Sequence, residues 1–477
     1  MRHALPDGAV LQGHVLDALA GLLAESVHMC VTSPPYWGLR KYNGEQVTQW
    51  ADGEWAYGME DTPERWADHT VEWLRAVRRV LRKDGTVWLN VGDSYSGANS
   101  RGNPSTASAK QLSNVGTGFM MGKELITPTG YKPLDLIHTP SLLIPRLLAD
   151  GWFLRSVIVW AKPNPMPESV SGTRWERHRV KQRNNGRGRE AARNTTEGRP
   201  QQDHDGQYFA GDAEWGDCPG CARCTPNDGL VLRRGSWRPT RASEWILMLA
   251  KSANYFSDGE GVRQPLADSS WGRYDHAITS NEQYDPARHK NTNGVQSPME
   301  VLTRAAAGVL AKGSANLRNV WIFPTQSFAD AHFATYPTEF AKRCILAGTS
   351  DAGCCATCGA PWARVVKQQA ITAHDGTTDS AYQQGTNANR LALLRQAARE
   401  RGDEYSPGSQ TLGFRPTCQH SSEPVPSTVL DPFLGSGTSA VVVRSLARRF
   451  VGIELSADYV RMALERLEQT QPGMVLA

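Results

Sequence analysis

Residues 430–440 have the sequence LDPFLGSGTSA, a glycine-rich turn between an apolar segment and a helical pattern. The preceding segment, STVLD (427–431), has the length and composition of a buried strand. Gly435 and Gly437 lack a Cβ, so the backbone can turn sharply there and approach a ligand closely. A helix is predicted over AVVVRSLARR (440–449). A strand, a tight turn and a helix in this order are typical of a parallel α/β sheet.

An acidic residue ends the next apolar segment, RFVGIEL (449–455). Glu454 stands at the end of a predicted strand, where a carboxylate can accept hydrogen bonds from both hydroxyls of a ribose. A glycine-rich turn alone could be an ordinary tight loop, but the turn together with this residue favours a nucleoside cofactor. The turn lacks the lysine of a phosphate-binding loop, and Asp431 would repel a pyrophosphate. We therefore expect a cofactor with a cationic or amine group.

A second unusual turn lies near the other end of the chain. The segment VTSPPYWGLR (31–40) follows the apolar pattern of a short strand, Ser26–Thr32. Its two consecutive prolines remove two backbone N–H donors and fix two φ angles, so the carbonyl groups of the loop keep fixed directions. Tyr36 and Trp37 follow at once. Trp37 is expected to pack in the interior, as large aromatic side chains usually do.

Strand and helix patterns alternate at both ends of the chain, which predicts one doubly wound, mostly parallel, Rossmann-like α/β sheet built from both termini. The first long helix is expected to end at Gly85, with an apolar side made of Trp66, Trp73, Leu74, Val77 and Leu81. Further helices are predicted over 140–151, 336–349 and 456–469, and further strands over 86–93, 152–165 and 244–252.

The middle of the chain is a large insertion into this sheet. We expect residues 1–165 and 331–477 to form the two parts of the core, and residues 166–330 to form a region that recognises the target. Residues 245–258 are apolar enough to include a further core strand. A cysteine- and histidine-containing insertion occupies 354–420.

The charge of the 477-residue chain is distributed unevenly. The net charge is only +4, but Arg174–Arg199 contains nine Lys or Arg residues and three Asp or Glu residues. This stretch is either a solvated, disordered linker or a loop that contacts phosphates. No apolar run approaches the roughly 18 residues that span a bilayer, and no signal-peptide core precedes the first strand. We expect a cytoplasmic protein with no membrane partner.

The nine cysteines favour metal binding over disulfides in such a protein. One group has the spacing of a structural zinc site, with Zn²⁺ ligands Cys355, Cys358, Cys418 and His420. A second group offers three ligands: Cys218, Cys221 and Cys224. No fourth ligand is evident for the second group, and His204 is a candidate on distance alone. Free thiols in loops are the alternative for both groups.

With both turns considered, the chain resembles the amino-methylating DNA methyltransferases of the permuted, beta-class order. In that family a motif of the type S/D/N-P-P-Y/F/W lies near the N-terminus, and a D-P-F-x-G-S-G-T motif lies near the C-terminus. Here they are Ser33–Tyr36 and Asp431–Thr438. The segment His332–Phe340 also resembles the family segment that closes over the methionine end of S-adenosylmethionine.

The resemblance implies a site for S-adenosylmethionine and a target nucleotide flipped out of double-stranded DNA. The Ser33 hydroxyl and the Pro34 carbonyl would accept protons from an exocyclic amine, and Tyr36 would stack on the base. Asp17 matches loosely a residue near the cofactor adenine. The implied catalytic residues are Ser33, Pro34, Pro35 and Tyr36. The implied cofactor residues are Asp431, Pro432, Phe433, Gly435, Gly437, Thr438, Glu454, Phe333 and Asp17.

The resemblance also implies a product. A serine at the first motif position usually accompanies methylation of cytosine N4, and Asp or Asn usually accompanies adenine N6. We expect N4-methylcytosine, with N6-methyladenine as the alternative, and a cognate restriction enzyme as a potential partner. A non-catalytic nucleic-acid-binding protein of the same fold, and a methyltransferase acting on RNA or protein, are alternatives that methyl-transfer assays separate.

Overall fold

The computed structural model describes residues 1–38, 47–96, 130–165, 168, 171–182, 214–265, 314–326, 336–368 and 409–474. Within these ranges, one nine-stranded sheet forms the centre of the fold. Across the sheet the strands lie in the order β1-β2-β9-β8-β3-β4-β6-β5-β7. In chain order they are β1 (Arg2–Leu5), β2 (Gly8–Gln12), β3 (Val27–Thr32), β4 (Leu81–Val91), β5 (Phe153–Ala161), β6 (Ser243–Ala250), β7 (Val320–Ile322), β8 (Thr428–Asp431) and β9 (Arg449–Glu454).

The two ends of the chain interleave in this sheet, which confirms the predicted α/β architecture. The C-terminal strands β8 and β9 lie between the N-terminal strands β2 and β3, and all of these neighbours run parallel. Strand β6 pairs antiparallel with both β4 and β5. Five of the eight neighbouring pairs are parallel, so the sheet is mostly parallel as expected.

Helices pack against both faces of the sheet, as in other doubly wound folds. The cluster of buried side chains on one face includes α1, α2 and α3, and the cluster on the other face includes α4, α5 and α6. No helix in the described ranges has the length and apolar character to cross a membrane. The helices are α1 (Val15–Ala20), α2 (Pro63–Val80), α3 (Thr139–Ala149), α4 (Thr338–Gly348), α5 (Thr438–Ser445) and α6 (Ala457–Glu468).

Helix α2 has the predicted apolar side but a different end. The predicted apolar residues are all fully buried, and the N-cap Thr62 accepts a hydrogen bond from the Arg65 N–H. The helix ends at Val80 and not at Gly85, because Leu81 is extended and pairs with Val27 of β3. Pairing with strand β3 therefore outweighs the helical pattern that the sequence shows over residues 81–85.

The boundaries of the predicted middle region also differ. The chain forms two compact units, Asn164–Ala242 and the remainder, Met1–Pro163 with Ser243–Ala477. Strand β6 belongs to the main sheet, as the apolar pattern of 245–258 allowed, and β7 does too. Two segments within 166–330, Ser243–Ala250 and Val320–Ile322, therefore lie in the main sheet. The predicted Phe333 site lies outside the described residues.

Within the described ranges, short antiparallel ribbons and single helical turns make up most of the remaining regular structure. In the larger unit the ribbons are Val47–Trp50 with Gly53–Ala56, Gln264–Pro265 with Ser314–Ala315, Cys354–Cys355 with Pro424–Val425, and Trp362–Gln368 with Ser409–Pro416. In the smaller unit they are Arg174–Arg177 with Leu230–Arg233, and Arg179–Gln182 with Glu214–Asp217. Single 3₁₀ turns occur at Thr225–Asn227 and Glu260–Val262.

A buried ion pair joins the first hairpin to helix α5. Arg444 Nε and Nη2 donate to the two carboxylate oxygens of Asp7 at 2.7 and 2.6 Å, and Arg444 is only 9% exposed. A bidentate pair of this kind fixes the relative geometry of the two groups. Removing one partner leaves the other charge desolvated and unpaired.

We expect Asp7→Asn to lower the free energy of unfolding by about 1–3 kcal/mol, because Arg444 then loses its charged partner. Urea unfolding followed by circular dichroism measures this change. The matched control is Glu465→Gln, which removes an exposed pair with Arg461 on α6 and should change stability by less than about 0.5 kcal/mol. Equal effects of the two substitutions would contradict the structural importance of the buried pair.

Candidate active site

The two unusual turns meet at one edge of the sheet. Strands β3 and β8 are parallel neighbours, so both turns follow the carboxyl ends of their strands. The Thr32 hydroxyl, one residue before the Ser-Pro-Pro-Tyr turn, donates to Asp431 Oδ1 at 2.6 Å. Residues 399 positions apart are therefore in direct contact. In open α/β sheets this edge is where ligands bind.

Asp431 organises the junction between the turns. Besides Thr32, its carboxylate accepts hydrogen bonds from the Tyr336 hydroxyl at 2.9 Å, the Phe433 N–H at 3.1 Å and the Ser439 hydroxyl. Burial raises the pKa of the Asp431 carboxyl, and the four donors offset part of that effect. The side chain thus holds strand β8, helix α5, Tyr336 and the end of strand β3, just before the proline turn, in one arrangement.

The glycine-rich turn and the acidic strand end are also connected directly. The Gly435 N–H donates to one carboxylate oxygen of Glu454 at 2.8 Å, and the Ser456 N–H donates to the other at 2.9 Å. Gly435 and Gly437 have φ of 55° and 86°, in the left-handed region that favours glycine. At Gly437 an added Cβ would lie 2.9 Å from the Cβ of Ala463. Burial raises the pKa of Glu454.

Apart from Phe333, which is outside the described residues, the other predicted cofactor residues are near the same edge. Pro432 is buried beside Asp431, and Thr438 is the first residue of α5. The Phe433 ring stacks on Tyr57 at a centroid distance of 5.4 Å. Asp17 is exposed on α1, the helix that follows β2, the neighbour of the Glu454 strand.

The proline turn is held from behind by buried aromatic groups. The Trp66 indole N–H donates to the Pro35 carbonyl at 2.9 Å, so that carbonyl already has a protein partner. An added Cβ at Gly58, whose φ is 88°, would lie 2.9 Å from the Pro35 ring. Trp37 is 4% exposed, and its indole N–H donates to the Glu60 carbonyl at 3.0 Å. Trp37 is therefore an interior residue, as expected.

Tyr36 links the turn to three polar residues that sequence reasoning missed. Its hydroxyl lies 2.8 Å from Ser33 Oγ and donates to Glu244 Oε2 at 2.8 Å. Asn90 Nδ2 lies 2.7 Å from both the Tyr36 hydroxyl and Glu244 Oε2. Lys162 pairs with the other oxygen of Glu244. The sequence feature that could have identified Glu244 is that it is a single acidic residue in the otherwise apolar stretch EWILMLA of strand β6.

The first cysteine group comes together as predicted. The ligand atoms of Cys355, Cys358, Cys418 and His420 all lie within 4.8 Å of one another. Cys354, whose sequence suggested no role, is buried, and its Sγ contacts the Val425 carbonyl at 3.3 Å. Cys354 therefore packs in the interior beside the group.

The second group acquires a fourth member. Cys218, Cys221 and Cys224 have ligand atoms within 4.8 Å of one another and of His178. His178 lies between two short strands, and its carbonyl accepts from the Cys218 N–H at 2.8 Å. The suggested His204 lies outside the described residues. Distance along the sequence did not identify His178, because two antiparallel ribbons bring it back to the cysteines.

Comparison with known proteins identifies the family of the chain. A family model described as DNA methylase, of the N6/N4 group, matches residues 27–356 and 417–465, which together are well over half of the chain. The chain belongs to this DNA methylase family. Both motif turns and Glu454 lie in the matched ranges, so the protein is an S-adenosylmethionine-dependent amino-methyltransferase of the N6/N4 type.

Similar curated proteins share almost the whole length of the chain. The type II methyltransferase M.Cfr9I of Citrobacter freundii is 27% identical, over 98% of this chain and 91% of its own. M.SmaI of Serratia marcescens is 26% identical, over 96% and 90%. Among solved structures, the cytosine-N4-specific PvuII DNA methyltransferase aligns over 97% of this chain and 87% of its own, at 12% identity and a TM-score of 0.42.

We expect Glu454→Ala to weaken S-adenosylmethionine binding by about 10- to 100-fold, because a charged hydrogen-bond acceptor is worth about 1.5–3 kcal/mol. Isothermal titration calorimetry measures the affinity, and circular dichroism checks that the variant is folded. Glu465→Ala, an exposed acidic residue on α6, is the control. A folded Glu454→Ala variant with unchanged affinity would show that this carboxylate does not contact the cofactor.

Proposed function

We propose that the protein methylates the exocyclic N4 of cytosine within a short sequence of double-stranded DNA. The observation that carries this proposal is the position of Ser33. Its hydroxyl stands in the proline turn at the sheet edge, one residue beyond the contact between Thr32 and Asp431. A small hydroxyl at this place suits a pyrimidine amine, whereas a carboxylate or amide would favour adenine.

The chain's own groups perform the chemistry by positioning. An exocyclic amine is a poor nucleophile, because its lone pair is delocalised into the ring, and it is inaccessible in a duplex, so the nucleotide is flipped out. The Ser33 hydroxyl and the Pro34 carbonyl accept the amine protons and free the lone pair for attack. S-adenosylmethionine supplies an electrophilic methyl group when bound. Preorganised acceptors and alignment lower the barrier without a covalent enzyme intermediate.

The same edge supplies the donor site. Glu454 accepts hydrogen bonds from the ribose, and the Gly435–Gly437 turn lets the backbone approach the cofactor. Asp431 shapes this pocket, because its oxygens already accept from four neighbouring groups. Phe433 extends the pocket with an aromatic surface, next to Tyr57.

Within the predicted target-recognition region, we propose that the unit Asn164–Ala242 contacts the DNA. It exposes three large aromatic side chains in its described residues: Trp175 at 52%, Trp215 at 53% and Trp237 at 72%. Trp175 and Trp215 each lie in one of the two ribbons of the unit, and both ribbons also contain arginines. Aromatic and cationic side chains together suit stacking and phosphate contacts. We also propose that a cognate restriction enzyme is a partner of this methyltransferase.

We expect DNA methylated in vitro to yield N4-methylcytosine on nucleoside mass spectrometry. N6-methyladenine alone would show that the inference from Ser33 is wrong and would leave the enzyme class intact. Long-read sequencing of DNA from a methylation-free host that expresses the protein then gives the sequence context. Absence of any methylated base would contradict the proposed function itself.

A second substitution tests the role of the motif aromatic residue. Tyr36→Ala should lower single-turnover methyl transfer at least 100-fold and leave S-adenosylmethionine affinity within about twofold, because the ring serves the base and not the cofactor. Rapid-quench assays with a tritiated methyl donor measure the rate, and calorimetry measures the affinity. A comparable loss in affinity would place Tyr36 in the donor site instead.

The proposal includes structural zinc at both cysteine–histidine groups. Four ligand atoms within 4.8 Å of one another can surround one ion tetrahedrally, and four protein ligands leave no open position for catalysis. The first ion would hold a ribbon against the core, where Gly359 and Cys358 accept hydrogen bonds from His28 and Arg82. The second would stabilise the smaller unit, where Cys224 and Val231 are the buried apolar residues of the described part.

We expect about two zinc ions per chain when protein purified without chelators is analysed by plasma mass spectrometry. Cys358→Ser and His178→Ala should each remove about one ion, because a three-ligand remainder binds zinc much more weakly. Cys30→Ser, a buried cysteine of β3 outside both groups, is the control. Zinc-free wild-type protein would rule out both sites.

A further inference from the structure

A continuous chain of hydrogen bonds leads from the catalytic serine to a carboxylate. Ser33 Oγ lies 2.8 Å from the Tyr36 hydroxyl, and that hydroxyl lies 2.8 Å from Glu244 Oε2. One link of 3 residues and one link of 208 residues along the sequence are therefore joined in space. Glu244 is the second residue of β6. Because β6 runs antiparallel to β4, the start of β6 lies at the sheet edge where β4 ends.

The direction of the protons in this chain follows from the donor inventory. The Glu244 carboxylate only accepts, so the single phenolic proton of Tyr36 points to Glu244. The Ser33 proton must then point to the Tyr36 oxygen, which also accepts from Asn90 Nδ2 at 2.7 Å. Ser33 Oγ also lies 3.4 Å from Asn90 Nδ2, and its second lone pair remains as an acceptor for the target amine.

With a serine in the first motif position, the proton that the target amine loses needs a further acceptor. The hydrogen-bonded series Ser33, Tyr36 and Glu244 supplies one. After the amine attacks, its nitrogen carries a positive charge and must lose a proton. A carboxylate in that position could take the proton itself, but a hydroxyl oxygen cannot keep a second proton near neutral pH unless it passes its own proton on. The nearest described carboxylate in the hydrogen-bond chain is Glu244.

We propose that Glu244 is the final acceptor of the proton that the target amine loses, through Ser33 and Tyr36. This rests on the proposed function, in which Ser33 accepts from an exocyclic amine. Tyr36 then has two separate roles, because its ring face serves the base while its hydroxyl, at the edge of the ring, carries the proton. Glu244 acts through these two residues without touching the substrate.

The step balances in atoms and charge. The amine nitrogen forms the N–CH₃ bond while the S–CH₃ bond of the sulfonium breaks, and the sulfur keeps the electron pair. The nitrogen gives a proton to Ser33 Oγ, Ser33 gives its own to the Tyr36 oxygen, and Tyr36 gives its own to Glu244. One sulfonium charge and one carboxylate charge disappear together. Solvent later removes the proton from Glu244.

Lys162 and Asn90 hold the carboxylate in place. Lys162 pairs with Glu244 Oε1, and the two side chains are 17% and 16% exposed. The oxygen that faces Tyr36 also accepts from Asn90 Nδ2 at 2.7 Å. Each oxygen of Glu244 therefore has a fixed orientation, and Oε2 stays directed at the phenol. An aligned acceptor of this kind contributes typically 10²–10⁴-fold to a rate.

Two conservative substitutions test the relay. Tyr36→Phe keeps the ring and removes the hydroxyl, and Glu244→Gln keeps the shape and removes the charge. We expect each to slow single-turnover methyl transfer about 100-fold, with affinities for S-adenosylmethionine and DNA within about twofold of wild type. Because the two residues act in series, the double variant should be no more than about threefold slower than either single variant. Glu54→Gln, an exposed glutamate in the Gly53–Ala56 strand, is the control.

The solvent isotope effect separates proton transfer from positioning. We expect wild-type transfer to slow in D₂O with a curved proton inventory, which indicates several protons moving together, and both variants to lose that curvature. A Glu244→Gln enzyme with the wild-type rate would overturn the relay. So would a slowed Glu244→Gln enzyme that keeps the wild-type isotope effect, because Glu244 would then only position Tyr36.

The product that the wild-type protein makes shows whether a failed test contradicts the relay or the proposed function. If wild-type protein yields N4-methylcytosine and Glu244→Gln yields it at the same rate, the relay alone is wrong. If wild-type protein methylates no amine, the proposed function fails before the relay is tested. A folded Glu244→Gln variant, checked by circular dichroism and by calorimetry with S-adenosylmethionine, ensures that a slow rate reports on chemistry.

Discussion

The hydrogen bond from Thr32 to the buried Asp431 carboxylate is the contact on which the site depends. A carboxylate in the interior must be surrounded by donors, because desolvation otherwise costs several kcal/mol. Asp431 takes its donors from the catalytic strand, from its own turn, from α5 and from Tyr336. The need to satisfy one buried group therefore joins the proline turn, proposed to hold the base, to the glycine-rich turn, proposed to hold the methyl donor.

The proposed catalytic residues and their hydrogen-bond partners come from segments that are distant in sequence but share one edge of the sheet. Ser33 and Tyr36 follow β3, Asn90 is near the end of β4, and Lys162 follows β5. Glu244 reaches the same edge from the opposite strand direction, because β6 is antiparallel to its neighbours. An antiparallel strand in a mostly parallel sheet thus brings the start of a strand, and not its end, to the active centre.

Local patterns predicted the fold and the two motif turns well. The Gly435–Gly437 turn and the proline turn are visible in sequence, because glycine and proline restrict the backbone whatever surrounds them. Contacts between distant segments were not visible. Glu244 and His178 were missed because their partners are set by strand pairing, and the end of α2 at Val80 was missed because Leu81 pairs with β3. The first hairpin strand and β7 are too short to show a periodic pattern.

The insertion of β8 and β9 between β2 and β3 also affects how the protein is made. During synthesis, β3 emerges from the ribosome without its neighbour β8, which follows 399 residues after Thr32 at the Asp431 contact. At about 5–20 residues per second this delay is roughly 20–80 s. The nascent chain therefore has an open edge beside β3, and no Asp431 contact, until β8 has been synthesised. A product that stops before β8 has the proline turn but lacks Asp431 and Glu454, so the proposed methyl transfer requires synthesis through β9.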